Sequence, residues 1–211
     1  ELMKNTYDDR LLRAYMNGEF TNLQQGSTYY AFNRNKHVGE CKYNPSLPIR
    51  LSLDWNVDPL CAIVWQKHIS KPNIRVFKEI ALYHKGEGDL MTQRLCDTIR
   101  DMYGNKYYIA YPDATGAGRV RRNGFKVNVA HINPKVVNRV NAVNKQLADG
   151  NVLIDPSCKM LIGDLEKVTN KEGTRDIDKS NKKLSYMSDA FGYGTTWEYP
   201  VIKPAIGVQD R

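Results

Sequence analysis

Three aspartates stand where the chain changes course. Asp54 closes the alternating stretch Arg50-Leu-Ser-Leu-Asp54, Asp113 follows Tyr111-Pro112, and Asp189 lies in Ser185-Tyr-Met-Ser-Asp-Ala-Phe-Gly-Tyr193. A carboxylate at a strand end is held on rigid backbone while its oxygens face a crevice, where open α/β sheets bind ligands. Alone, Asp54 reads equally well as a strand-ending turn former, and Asp189 as an acid at the positive end of a helix. As a set, the three are hard oxygen donors of the kind Mg²⁺ and Mn²⁺ prefer. Two such ions about 4 Å apart need several carboxylates to offset their charge, and together they serve in-line cleavage of a phosphodiester. Asp54, on the strand expected to be most central, is the expected bridging ligand.

The elements that must position them follow from periodicity. Residues 49–54, 61–68 and 74–82 read as three closely spaced strands, and such short connections favour antiparallel neighbours. Residues 89–103 read as a helix with Leu90, Leu95, Ile99 and Met102 on one side and Gly104 as its stop. Strands at 107–111 and 126–132 come next. A helix over 136–149, with Val136, Val140, Val143 and Leu147 inward, and a shorter one over 159–168 lead to a charge-rich loop, 169–183. A last helix over 184–197 carries Ser185, Asp189 and Tyr193 on one face, with Ala190 and Gly192 allowing close approach to the sheet. The fold class expected is α/β: a central mixed sheet of about five or more strands, the first three antiparallel, with helices on both faces. With the first strand central and the fourth beside it, Asp54 and Asp113 end neighbouring strands.

Upstream, residues 1–17 read as a loose helix ended by Gly18, and an aromatic, proline-punctuated stretch leads to residue 48. The domain reading is therefore 1–48 as helix and linker, 49–200 as the main domain and 201–211 as a tail. The start at Glu1, without Met or an N-cap, suggests a piece of a longer protein. Four dispersed cysteines (Cys41, Cys61, Cys96, Cys158) with no CxxC pairing argue for free, buried thiols rather than a zinc site. No apolar run is long enough to span a membrane. The net charge of +8 suits a polyanionic partner but is weak support alone.

At this point a resemblance becomes specific. Tyr15-Met-Asn-Gly-Glu-Phe20, Leu53-Asp-Trp-Asn-Val-Asp-Pro59, Pro112-Asp-Ala-Thr-Gly116, Arg139-Val-Asn-Ala-Val-Asn144, Asp155-Pro-Ser-Cys158, Ile177-Asp-Lys179 and Ser188-Asp-Ala-Phe-Gly-Tyr193 occur in that order. Together they resemble the C-terminal nuclease domain of the large terminase subunit of tailed bacteriophages, a member of the ribonuclease H-like superfamily. The resemblance covers nearly the whole chain. It implies that Asp54, Asp113 and Asp189 carry two Mg²⁺ or Mn²⁺ ions and cut concatemeric double-stranded viral DNA at the start and end of packaging, with low sequence specificity. It also implies an upstream ATPase domain, the portal and the small terminase subunit as partners, in the cytoplasm of an infected host. No GxxxxGK[ST] run is present, so no nucleotide site is expected here. Many relatives have His where Tyr186 stands, and no role falls to that position.

Basic residues remain. Arg119, Arg121 and Arg122 follow the Asp113 loop, where Gly116, Gly118 and Gly124 are expected to give freedom; phosphate contact and a solvated charged face are both open. Lys179, Lys182 and Lys183 precede Asp189, and by resemblance this loop lies near DNA, with Lys179 able to steady the scissile phosphate. Asp178 reads better as a salt-bridged loop residue than as an outer-shell acid. His68 and His131 read as structural, Asn56 and Asp58 as turn residues, and Cys158 as core filling. Two other readings stand beside the nuclease: a DNA-gripping or portal-docking module inactive in isolation, and a structure-selective, resolvase-like nuclease.

Overall fold

The alternating run Ile49–Asp54 forms β1, with Leu51 and Leu53 buried on one face of the sheet and Ser52 and Asp54 turned to the other. The computed structural model describes residues 26–55, 58–83, 88–128, 132–174, 176–181 and 184–201. After β1 come β2 (Leu60–Lys67), β3 (Ile74–Leu82), α2 (Gly88–Tyr103), β4 (Tyr108–Pro112), α3 (Ala117–Arg122), β5 (Lys126–Val127), α4 (Val136–Ala148), β6 (Val152–Ile154), α5 (Lys159–Lys167) and α6 (Tyr186–Glu198); a one-turn α1 (Arg34–His37) precedes them. The six strands lie in the order β5-β4-β1-β2-β3-β6. β1–β2 and β2–β3 are antiparallel, whereas β4 runs parallel to β1 and β6 parallel to β3. The mixed sheet, its antiparallel first three strands and the place of β4 beside β1 are as the sequence predicts.

Two apolar layers cover the sheet. On one face Leu51, Leu53, Ala62 and Val64 pack with Met91, Leu95, Cys96 and Ile99 of α2 and Val120 of α3. On the other, Cys61, Ile63 and Trp65 pack with Val143 and Leu147 of α4, Leu161 of α5, and Met187 and Phe191 of α6. Each large side chain fully buried this way contributes roughly 1.5–3 kcal/mol. β2, covered on both faces, is correspondingly apolar along nearly its whole length.

Several expectations need correction. Leu90 and Met102 are exposed, and Met91 and Cys96 take their place in the core, so the buried stripe of α2 is rotated by about one residue. β6 escapes a sequence reading because three residues after a helix-ending Gly150 (φ 66°) are too short for a periodicity. The expected strand 126–132 is regular only over Lys126–Val127; 129–131 lie outside the described residues, and Ile132 is exposed. Residues 26–48 do more than link: Tyr29 and Cys41 are buried, and Asn144 of α4 donates to the Thr28 carbonyl and accepts from Ala31 N–H. The helix expected over 1–17 lies outside the described residues. All four cysteines are free and buried. Among the described residues no helix is long and apolar enough to cross a membrane.

The tight approach of α6 to the sheet is made by Gly194, not by Gly192. A Cβ on Gly194 would stand 2.0 Å from Ser52 Oγ, while one on Gly192 would stand 3.0 Å from the Cβ of Arg139 on α4. Ser52 Oγ itself accepts the indole N–H of Trp65 at 2.9 Å. Gly194→Ala is therefore expected to lower stability by about 1–3 kcal/mol as α6 lifts off β1; urea unfolding measures it, and an unchanged midpoint would contradict this packing.

Candidate active site

Parallel pairing sets the first two acids level. Leu53 lies opposite Pro112, so Asp54 and Asp113, each the next residue, emerge at the same end of adjacent strands. Asp113 turns one oxygen back on its own loop: Oδ1 accepts the N–H of Gly116 and the hydroxyl of Thr115, both at 2.8 Å, and so caps α3. Gly116 sits under Trp55, whose ring would be 2.3 Å from any Cβ there. Its role is close contact, and the loop expected to be free is a pinned turn followed by a short helix.

Asp189 arrives on the first turns of α6. Ser185, in the left-handed region at φ 78°, precedes that helix and offers it no side-chain cap. The cap comes from α5, where Asp164 Oδ2 accepts the N–H groups of Met187 at 2.9 Å and Ser188 at 3.0 Å. Burial pushes the Asp164 carboxyl up to about 6, against the opposing pull of these amides. Asp189 is held by two cations: Arg139 Nη2 meets Oδ1 at 2.9 Å and Lys179 Nζ meets Oδ2 at 3.2 Å. Arg139 also donates to the Pro134 carbonyl at 3.2 Å and lies 4.5 Å over the ring of Tyr193.

All three acids are buried, at 4–7% exposure. Burial, then the charges of Asp189 and Asp113, push the Asp54 carboxyl up to about 7, and Arg139 and Lys179 only partly oppose this. Such excess negative charge at a set of hard oxygen donors fits a divalent cation. Among the described residues, however, no group of three His, Cys, Asp or Glu side chains is arranged to hold an ion as it stands. The carboxylates are gathered without being closed into a cage, since Arg139, Lys179 and the α3 amide take up oxygens that a metal would use.

Of the basic residues read from the sequence, Lys179 joins the acids. Arg121 and Arg122 are exposed on the last turn of α3 and Arg119 is half-buried; the cations acting on Asp54 are Arg139 and Lys179 instead. Lys182, Lys183, His131 and Asn56 lie outside the described residues. Asp178 stays at the surface, accepting the Ser180 N–H at 2.9 Å. The sequence shows Arg139 only as the first residue of a motif, without a role, and gives no sign of Asp164. Arg139 occupies the inner stripe of α4 with Ala142, Val143 and Gln146, and a charge on an apolar stripe is the signal that marks it.

Two outcomes follow. The unfolded chain loses the Asp54 proton near pH 4 and the fold only near 7, so the metal-free fold loses stability as pH rises across that window and levels off above it. Asp54→Asn is expected to raise the melting temperature of metal-free protein at about pH 8, with the gap closing toward about pH 4; a constant gap would refute the shift. Arg139→Ala, by leaving Asp189 buried beside only an exposed lysine, should cost about 3–5 kcal/mol in denaturant unfolding.

No family model and no curated protein matches the sequence. Solved structures do. The large terminase of a thermophilic bacteriophage, in complex with ATP-γ-S, superposes with a TM-score of 0.72 at 19% identity over 92% of this chain and 50% of that one. The chain thus spans about half the length of that protein. The nuclease domain of the phage P22 large terminase matches 84% of this chain and 95% of its own at TM-score 0.62 and 10% identity. The large terminase nuclease domain of phage SPP1, solved with bound Mn, matches 74% of this chain and 93% of its own at TM-score 0.52 and 18% identity. The chain therefore shares the α/β fold of these large-terminase nuclease domains.

Proposed function

We propose that this chain is a metal-dependent endonuclease domain that cuts double-stranded DNA during viral genome packaging. The observation that carries the reading is the gathering of three buried carboxylates at one sheet end, with Asp54 pushed up to about 7 by burial and by the charges of Asp189 and Asp113. The likeness to terminase nuclease domains, one of them solved with Mn, supports it. Asp54, Asp113 and Asp189 would hold two Mg²⁺ or Mn²⁺ ions. Such ions supply Lewis-acid stabilisation of a phosphodiester and a more acidic water.

The protein's own residues do the rest. Arg139 fixes the orientation of Asp189 from below, and Asp164 fixes the start of its helix. Lys179, 61% exposed, is able to leave Asp189 Oδ2 for a phosphate oxygen as the carboxylate takes up a cation. No charged helix is aimed at base edges in this reading, so backbone contact dominates and binding weakens steeply with salt. The same proposal extends to partners beyond double-stranded DNA: an ATPase motor domain, the portal and the small terminase subunit, in the host cytoplasm. One observation favours a second reading, a domain silent in isolation that grips DNA or docks on the portal. Both oxygens of Asp189 are engaged by cations within the chain itself.

Cleavage of supercoiled and linear plasmid decides between them. The nuclease reading expects cutting that requires Mg²⁺ or Mn²⁺, stops with EDTA, and falls more than about 100-fold with Asp113→Ala, beyond the ~10–100-fold of losing an outer partner. DNA binding with no cutting under any metal would transfer the assignment to the docking reading.

A further inference from the structure

Beside the acids lies a cavity of about 270 Å³ whose construction the metal chemistry does not explain. Tyr111 and Pro112, the residues just before Asp113, form one wall, and Tyr193, one turn after Asp189, forms another. Trp197, 44% exposed, stands at its edge. The polar side chains that line it are neutral: Asn128, Asn133, Thr196, and the tyrosines Tyr111 and Tyr193. Asn133 already gives its Oδ1 to the N–H of Ala114, which ties the cavity to the Asp113 loop. Thr196 Oγ1 is buried and has no hydrogen-bond partner among the described residues. Among those residues, no Lys, Arg, Asp or Glu lines the space.

We propose that this cavity receives one unstacked nucleobase of the DNA strand being cut, next to the scissile phosphate. The inference rests on the nuclease reading. Aromatic and proline walls suit a flat ring, while the two amides suit its hydrogen-bonding edge. A phosphate suits the space poorly, because its described lining offers no cation. The volume falls below the ~300–1,000 Å³ of sites for larger ligands and fits a single ring system. Because Pro112 and Tyr193 flank the acids in sequence, a base entering here belongs to a nucleotide close to the reacting phosphate. Unstacking is easiest at mispaired and pyrimidine–purine steps, so such steps become preferred cutting points although no base edge is read in a groove.

The test uses the whole chain as Asp54→Asn, mixed with duplexes carrying 2-aminopurine opposite a mismatch at successive positions. Binding is expected to change the fluorescence at one position in a way that Trp197→Ala removes; that side chain stands partly outside the core. Asn128→Ala, a separate change on the cavity lining, is expected to weaken the same signal. In the cleaving protein, a single mismatch should raise cutting beside it by about tenfold over paired duplex. Fluorescence that changes nowhere, or that neither Trp197→Ala nor Asn128→Ala alters, overturns the base subsite while metal-dependent cutting leaves the nuclease reading intact. Absence of both DNA binding and cutting overturns the two together.

Discussion

Gathering Asp54, Asp113 and Asp189 below the surface is unfavourable on two counts, desolvation and like charge, and much of the surrounding structure answers that repulsion. Arg139 is the principal answer. It is itself buried, so its charge acts with little solvent screening, and it is held by the Pro134 carbonyl, the face of Tyr193 and Asp189 at once. Lys179 adds a second, more exposed charge. Burial first, and then the negative charge these two leave unopposed, raise the Asp54 carboxyl. The two cations that oppose this shift, Arg139 and Lys179, are both bound to Asp189.

The same use of acids organises the helices. α3, α5 and α6 begin on residues that make no side-chain capping bond. Asp113 serves α3. Glu79, on β3, accepts the N–H groups of Met160 and Leu161 at 2.8 Å and serves α5. Asp164, on α5, serves α6. Sheet, α5 and α6 thus form a chain of tertiary caps, in which β3 fixes the start of α5 and α5 fixes the start of α6. The angle at which Asp189 is presented depends on Glu79 through two such steps.

This explains what is legible in the sequence. Strands β1, β2 and β3 carry strong β-branched and apolar runs, so their bounds can be read within a residue. Asp54 and Asp113 can be placed level because short connections restrict the topology. Local pattern and strand order therefore set Asp54 and Asp113 level, and the tertiary fold brings Asp189 beside them. They do not reveal the roles of Arg139 and Asp164, since those lie in long-range partners that no local period encodes. The glycines mislead for the same reason. Gly116 reads as freedom and Gly192 as the point of approach to the sheet, yet Gly116 is covered by a ring and Gly194 is the residue that meets β1.

Trp55 follows Asp54 directly, lies over Gly116, and donates its indole N–H to Thr92 of α2 at 3.2 Å. One ring therefore clamps the end of β1, the loop after β4 and a flanking helix. Asp54 and Asp113 are thereby tied to one another through Trp55, while Asp189 belongs to a separate helix packed on the sheet through Met187, Phe191 and Gly194. The spacing of the three oxygen donors therefore depends on how α6 seats against the sheet. At the far end of that helix Glu198 pairs with Arg50 of β1 and Lys67 of β2, so its C-terminus is fastened to the same sheet that carries Asp54.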